Sequence, residues 1–184
     1  VTDGDNNPWP QRWIERRWRI DSDCRRRWGM RRRAEALRAL EKLGLPASQV
    51  DFFGFPDTGM LRLWRRRDAN VLDRFTRAFA AWPAAALIPP SPRDRHPDHK
   101  GVFHFAREAL SKLDQHPAQF SYLIHPSWLA VRPSGCLLHL TPEQQAAKLQ
   151  AILCHETQTA LSRGRFSSYA SPEEVFVPES PHAP

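Results

Sequence analysis

A chain of 184 residues suits one domain of ordinary size, and its 41% of apolar residues is enough to build a real core. Three cysteines, Cys24, Cys136 and Cys154, stand far apart with no CxxC pair, which argues against a disulfide framework and against a thiolate zinc site. The longest apolar stretch, 79–90, holds prolines and is too short to span a bilayer, no signal-peptide pattern is visible, and a reducing cytoplasm is the expected compartment.

The chain opens with Val1-Thr2-Asp3-Gly4, which reads as a strand end running into a turn. An arginine-rich region follows, densest between Arg12 and Arg38, and it explains most of the net charge of +7. Lysine occurs only at Lys42, Lys100, Lys112 and Lys148. Trp9, Trp13, Trp18 and Trp28 are interleaved with the arginines. Such a region serves either as a solvated helical surface or as a patch for nucleic acid or an anionic glycolipid surface, and aromatic rings beside basic groups also suit sugar faces. Residues 25–44 predict a helix with Ala36, Leu37, Leu40 and Leu43 as its apolar stripe, stopped by Gly44 with Pro46 beyond.

Val50 to Phe55 predicts a short buried strand, followed by the turn Pro56-Asp57-Thr58-Gly59. Asp68 caps a second predicted helix to Trp82, with Val71, Leu72, Phe75 and Phe79 on one side. Ala84 to Pro89 predicts a strand. Pro97 suits the first turn of a third helix that buries Phe103, Ala106 and Leu110. Phe120 to His125 and Cys136 to Leu140 predict two more strands. Thr141-Pro142-Glu143 is a strong helix start, and that helix is expected to run to about Leu161. The tail from Ser171, holding four prolines, is expected to be extended and frayed at its end. This alternation of strands and helices predicts an α/β layered fold with a mainly parallel sheet. The turns after Thr2, at 56–59 and at 91–99 all follow strands, and in such sheets functional groups gather there.

The stretch Ser91 to Gly101, SPRDRHPDHKG, carries the most chemistry. Neutral imidazole is a good zinc ligand, and histidine also titrates where proton transfer is useful. His96 and His99 lie where a loop becomes a helix, with Asp94 and Asp98 placed to orient them by accepting a ring N–H. The same composition also makes an ordinary polar loop. His104 and His116 read as helix-surface residues, His125 and His139 as strand-end residues, and His155 as a satisfied buried histidine. Each cysteine reads as a small core residue. Asp3, Asp5 and Asp57 read equally well as turn formers, and Glu35 as an ion-pair partner.

Several of these motifs, in order, resemble one family. They are Thr2-Asp3-Gly4, then Arg32-Arg33-Ala34-Glu35 with Leu43-Gly44, then Pro56-Asp57-Thr58-Gly59, then His96-Pro97-Asp98-His99, then KLQAILCHETQ from Lys148 to Gln158. The series is similar to the PIG-L, or LmbE-like, zinc-dependent N-deacetylases from Val1 to about Phe176. The resemblance implies a Rossmann-like three-layer α/β fold forming a single domain over residues 1–184, with 171–184 as an extended tail. It implies removal of an acetyl group from an N-acetylated amino sugar or glycoconjugate, with Zn2+ as cofactor and iron as an alternative metal. By the same resemblance His99 is a metal ligand, His96 the catalytic histidine, Asp98 the aspartate that tunes it, and Arg32 and Asp57 sugar-binding residues, with Asp94 behind the histidines.

The family's first strand ends in a His-Pro-Asp-Asp motif that supplies the remaining ligands and the general base, and no such motif occurs in this chain. The expectation is therefore a chain that lacks the first strand–helix unit and is impaired as given, with the reading frame ahead of Val1 encoding the missing motif. A degenerate member that lost its catalysis is the alternative within the family. A different class of function is a non-catalytic glycan- or nucleic-acid-binding module using the Arg/Trp-rich segment 9–38. No specific nucleic acid, no transmembrane segment and a sugar or glycoconjugate substrate are the expected partner profile.

Overall fold

Local capping signals set most of the helix starts. The computed structural model describes residues 1–125 and 135–180. Helix α1, Pro8–Glu15, starts on proline after Asn7, and its chain turns off at Arg16 in the left-handed region (φ 52°). Helix α2, Ser22–Lys42, starts where the Asp21 carboxylate accepts the Cys24 N–H at 2.8 Å. It ends just before Gly44, whose φ of +80° suits glycine. A single 3-10 turn covers Ala47–Gln49. Helix α3 spans Met60–Arg65 and α4 spans Ala69–Ala81, the latter capped by Asp68 accepting the N–H groups of Asn70 and Val71. Then come β1 (Ala86–Leu87), α5 (Pro97–Lys112), β2 (Ala118–Ser121) and β3 (Cys136–His139). Helix α6, Pro142–Leu153, starts on a full capping box between Thr141 and Gln144, and α7 (Glu156–Ser167) and β4 (Glu173–Pro178) close the order.

The fold is mixed α/β with a four-stranded sheet in the order β1-β2-β4-β3. Strands β1 and β2 run parallel, and β2 and β4 antiparallel. The parallel ladder is prolonged by a bridge between Pro90 and Tyr122, and a second parallel bridge joins Thr2 to Phe55. The chain forms two compact units. One contains Val1–Asp57 and His139–Glu174, the other Thr58–Leu138 and Val175–Pro184.

In the first unit α2 packs on α6, α6 on α7 and α1 on α7. Its buried side chains include Gln11 of α1, Cys24, Trp28, Glu35 and Ala39 of α2, Ala151 and Thr157. The stripe expected from Leu37, Leu40 and Leu43 is not the buried one, since Leu43 is 49% exposed. In the second unit α5 packs on both α3 and α4. Met60, Phe75, Phe105 and Leu110 lie at its centre, and the Phe75 and Phe105 rings stack at 5.8 Å.

The close approach of α3 to α5 depends on Gly101. A Cβ there would stand 2.3 Å from the Met60 carbonyl carbon and 2.6 Å from its oxygen, both main-chain atoms that cannot swing aside. Gly101→Ala is expected to destabilise the protein by about 2–3 kcal/mol through this overlap. A urea midpoint equal to the parent's would show instead that the two helices part freely.

Three further expectations are corrected. Residues 50–55 form no strand beyond the single bridge at Phe55, because Gly54 takes a φ of +68° and breaks the extended run. The last helix does not run unbroken to Leu161. His155 leaves helical geometry (ψ 63°), and α7 begins afresh where the Thr157 N–H donates to the buried Glu35 carboxylate at 3.0 Å. Of the cysteines, Cys24 is buried, but Cys136 is exposed and Cys154 only partly covered. Within the expected tail, Glu173–Pro178 is strand β4, held by Ser121–Val177 and Phe120–Pro178 pairing, and the end expected to fray, 181–184, lies outside the described residues.

Candidate active site

The parallel pairing of β1 with β2 brings two loops side by side. The Ser91 N–H donates to the Tyr122 carbonyl at 2.7 Å, and the Tyr122 N–H donates to the Pro89 carbonyl at 3.2 Å. The loop after β1 therefore stays in register with the end of β2. Asp94 fastens the two. Its carboxylate accepts the His96 N–H at 2.8 Å, the Ile124 N–H at 3.0 Å and the His125 N–H at 2.9 Å. The side chain is fully buried. Burial pushes its pKa up, but the N–H groups of His96 and His125, the His99 ring and the Ile124 N–H outweigh that and hold it below the ordinary aspartate value. Burial, reinforced by the Asp94 charge, in turn pushes the Tyr122 phenol up.

The histidines stand around this anchor. His96 is the N-cap of α5, and its Nδ1 accepts the Asp98 N–H at 3.2 Å. A neutral His96 therefore carries its proton on Nε2. His99, one turn into the helix, has its buried Nδ1 3.0 Å from Asp94 Oδ2, without the alignment of a full hydrogen bond. A bare Nδ1 lone pair facing a carboxylate at that distance would be repelled, so the favoured tautomer puts the proton on Nδ1 and leaves Nε2 as a lone pair. The two rings are 4.9 Å apart, centre to centre. A third ring, His125, stacks on His99 at 5.6 Å and stands 6.1 Å from His96.

Asp98 is buried as well, but its carboxylate faces α3. It accepts the Thr58 N–H at 2.6 Å and the Met60 N–H at 2.9 Å. Its tie to His96 is through its main-chain N–H alone. The carboxylate beside the His99 ring is that of Asp94.

Arg32 and Asp57 lie in the other unit, around the turn that begins the chain. Asp57 accepts the Asn6 N–H at 3.1 Å and stands 3.5 Å from the Thr2 hydroxyl. Arg32 donates to the Gly4 carbonyl. Its guanidinium lies so near that a Cβ on Gly4 would overlap it, and Gly4 also has a φ of +63°. Burial lowers the Arg32 pKa, with Asp57, Glu35, Asp5 and Asp3 acting in the opposite direction. Asp3 makes a two-pronged ion pair with Arg33 at 2.8 and 2.6 Å, which gives it a structural task. Glu35 accepts from both the N–H and the hydroxyl of Thr157 and stands 3.6 Å from Arg31.

His125 is the residue that the sequence alone undervalued. Its signal was topological: it follows the strand beside β1, so the loops after both strands had to converge. The other histidines stay apart from this cluster. His104 stacks on Trp64 at 4.1 Å, and burial lowers its pKa. His116 and His139 are exposed beside Asp114 and Glu173. His155 is half-buried at the start of α7, and its pKa is lowered by burial. Among the described residues no group of three His, Cys, Asp or Glu is arranged to hold a metal ion, and none of the helices is long and apolar enough to cross a membrane.

A family model described as PIG-L, GlcNAc-PI de-N-acetylase, matches residues 1–110. No curated protein matches the chain significantly. Among solved structures, the zinc-inhibited form of teicoplanin deacetylase Orf2 is 15% identical with a TM-score of 0.57, covering 82% of this chain and 73% of that one. The A40926 pseudoaglycone deacetylase Dbv21 is 19% identical with a TM-score of 0.60, covering 85% and 72%. GalB, the 4-carboxy-2-hydroxymuconate hydratase of Pseudomonas putida KT2440, is 20% identical with a TM-score of 0.68, covering 100% and 83%. At these identities the likeness is one of fold.

Proposed function

The chain belongs to the PIG-L family, and from that premise we propose that it hydrolyses the N-acetyl amide of an amino sugar or glycoconjugate, releasing acetate and the free amine. The observation that carries the reading is the division between the two histidines of the α5 start. His96, with Nδ1 engaged by the Asp98 N–H, presents a donor at Nε2. His99, with Nδ1 against Asp94, presents a lone pair. A donor and a lone pair on neighbouring rings, 4.9 Å apart centre to centre, suit amide hydrolysis.

In this reading a water oxygen bonds to the carbonyl carbon and the C–N bond breaks. The His99 Nε2 lone pair takes a proton from that water, the His96 Nε2–H stabilises the oxygen that becomes negative and hands its proton to the leaving amine, and the proton held on His99 restores His96. The water is divided between the products, its oxygen in acetate and a proton on the amine. Asp94 holds both histidine loops in place, and Asp98 fixes the His96 tautomer through its main-chain N–H. Arg32 and Asp57 are assigned to sugar hydroxyls.

Zinc is implied by the family, and His99 is the ligand it would use here. The described residues do not by themselves fit a catalytic zinc, which takes about three protein ligands. The 184 residues contain no His-Pro-Asp-Asp. Their zinc affinity is expected to be weak and their turnover slow, and fast hydrolysis by this polypeptide would sink that part of the proposal.

One observation favours a second reading, addition of water to an unsaturated acid: the GalB hydratase covers all of this chain. A product assay separates the two. Acetate and free amine appearing one to one support hydrolysis. Loss of a conjugated diacid's absorbance, with no acetate formed, supports hydration.

A further inference from the structure

We propose that α1 and the turn after it, residues 8–19, form a docking surface for an anionic lipid membrane. The helix is built inside out. Trp9, Arg12, Trp13 and Arg16 recur at the i, i+3, i+4, i+7 spacing that normally marks the face a helix buries. Here its two indoles point to water, with Trp9 60% and Trp13 67% exposed. The residue that α1 buries completely is Gln11, whose amide donates to the Cys24 carbonyl at 2.8 Å and to Glu15 at 3.0 Å. Trp18, beyond the left-handed turn at Arg16, is 78% exposed. Together the three indoles leave on the order of 400 Å2 of aromatic surface in water, comparable with the largest apolar patch of a typical monomer. No packing within the first unit explains it.

The chemistry of this face selects its occupant. An indole with an apolar body and one N–H is at its most favourable at the headgroup level of a bilayer. Arginines flank the indoles at 12, 16, 17 and 19, and the acid within the segment, Glu15, is taken up by Gln11. The Arg12 guanidinium lies 5.4 Å from the centre of the Trp9 ring, so cation and aromatic are presented as one ridge. A basic helix with Trp on the same exposed surface binds anionic interfaces through both terms. Single-stranded nucleic acid also uses aromatics and arginine, but in a basic groove that tracks the strand. The indoles of α1 stand proud, and the open cleft of the first unit, lined by α2 and the turn at Asp3 and Asp5, includes no residue of α1. The proposal is independent of the reaction catalysed.

The test is flotation of the whole protein with phosphatidylcholine vesicles and with vesicles in which phosphatidylserine replaces part of the lipid. Binding is expected to the second and to be weak on the first, with tryptophan emission shifted to the blue. Trp9→Ala with Trp13→Ala should weaken binding by about tenfold or more, with an unchanged far-ultraviolet spectrum because both side chains are exposed. Arg12→Gln with Arg16→Gln should cost about fivefold per arginine on the anionic vesicles. Three results would overturn the proposal: no binding to phosphatidylserine vesicles, binding indifferent to the paired Trp change, or a paired Trp change that instead dissolves an oligomer or abolishes binding to an oligonucleotide.

Discussion

Asp94→Ala is expected to cost about 4 kcal/mol of stability and to disorganise the three-histidine cluster. The carboxylate is fully buried and accepts three main-chain N–H groups from both loops, at 2.8–3.0 Å, besides its contact with His99. Its removal leaves those donors buried without an acceptor, and each such loss costs about 1–3 kcal/mol. Asp94→Asn keeps an acceptor oxygen and should recover part of the loss. The pH dependence follows from the direction of the shift. The folded pKa lies below the ordinary value of 3.8, so the charge favours the folded state. That contribution is complete above pH 3.8 and disappears as the pH falls below it through the folded value. The advantage of the parent over Asp94→Asn in urea midpoint should therefore be full at neutral pH and fade in acid below pH 3.8. A constant difference across that window would mean that the carboxylate's charge is not what binds the loops.

Glu35→Ala is the second large effect, expected at about 3 kcal/mol. Glu35 has no solvent exposure and receives both the N–H and the hydroxyl of Thr157, 122 positions away. Those bonds hold the first turn of α7, and Arg31 stands beside the same carboxylate at 3.6 Å. Alanine would strand two donors of α7, whereas Glu35→Gln can still accept one of them and should lose about half as much. Hydrogen exchange localises the effect: in Glu35→Gln the amides of Glu156 to Thr159 should lose protection before those of α5. Uniform loss across both helices would contradict this local role.

The starts of α4, α5 and α6 were legible because each is written within four residues. Asp68 with Asn70 and Val71, His96 with Pro97 and Asp98, and Thr141 with Gln144 carry their own capping chemistry. What failed was long-range. The break between α6 and α7 is made by Glu35, and no local pattern at 150–158 contains that partner. Helix α1 was not foreseen as a helix: the sequence showed only arginines interleaved with tryptophans there, and interleaving alone does not say which side meets water. At the candidate site His96, His99 and Asp94 were readable from one loop. His125 required the pairing of β1 with β2, and the Asp98 carboxylate was drawn away by Thr58 and Met60, forty and thirty-eight positions earlier.

The central claim is that the α5 start hydrolyses an N-acetyl group with His96 as the proton donor. The direct measurement is acetate release from N-acetylated amino sugars by the protein and by His96→Ala under identical conditions. The account predicts a slow parent rate with equal acetate and amine, and a further fall of about 10²–10⁴ in His96→Ala. Acetate release unchanged in His96→Ala, or hydration of an unsaturated acid with no acetate from any acetylated sugar, would contradict it.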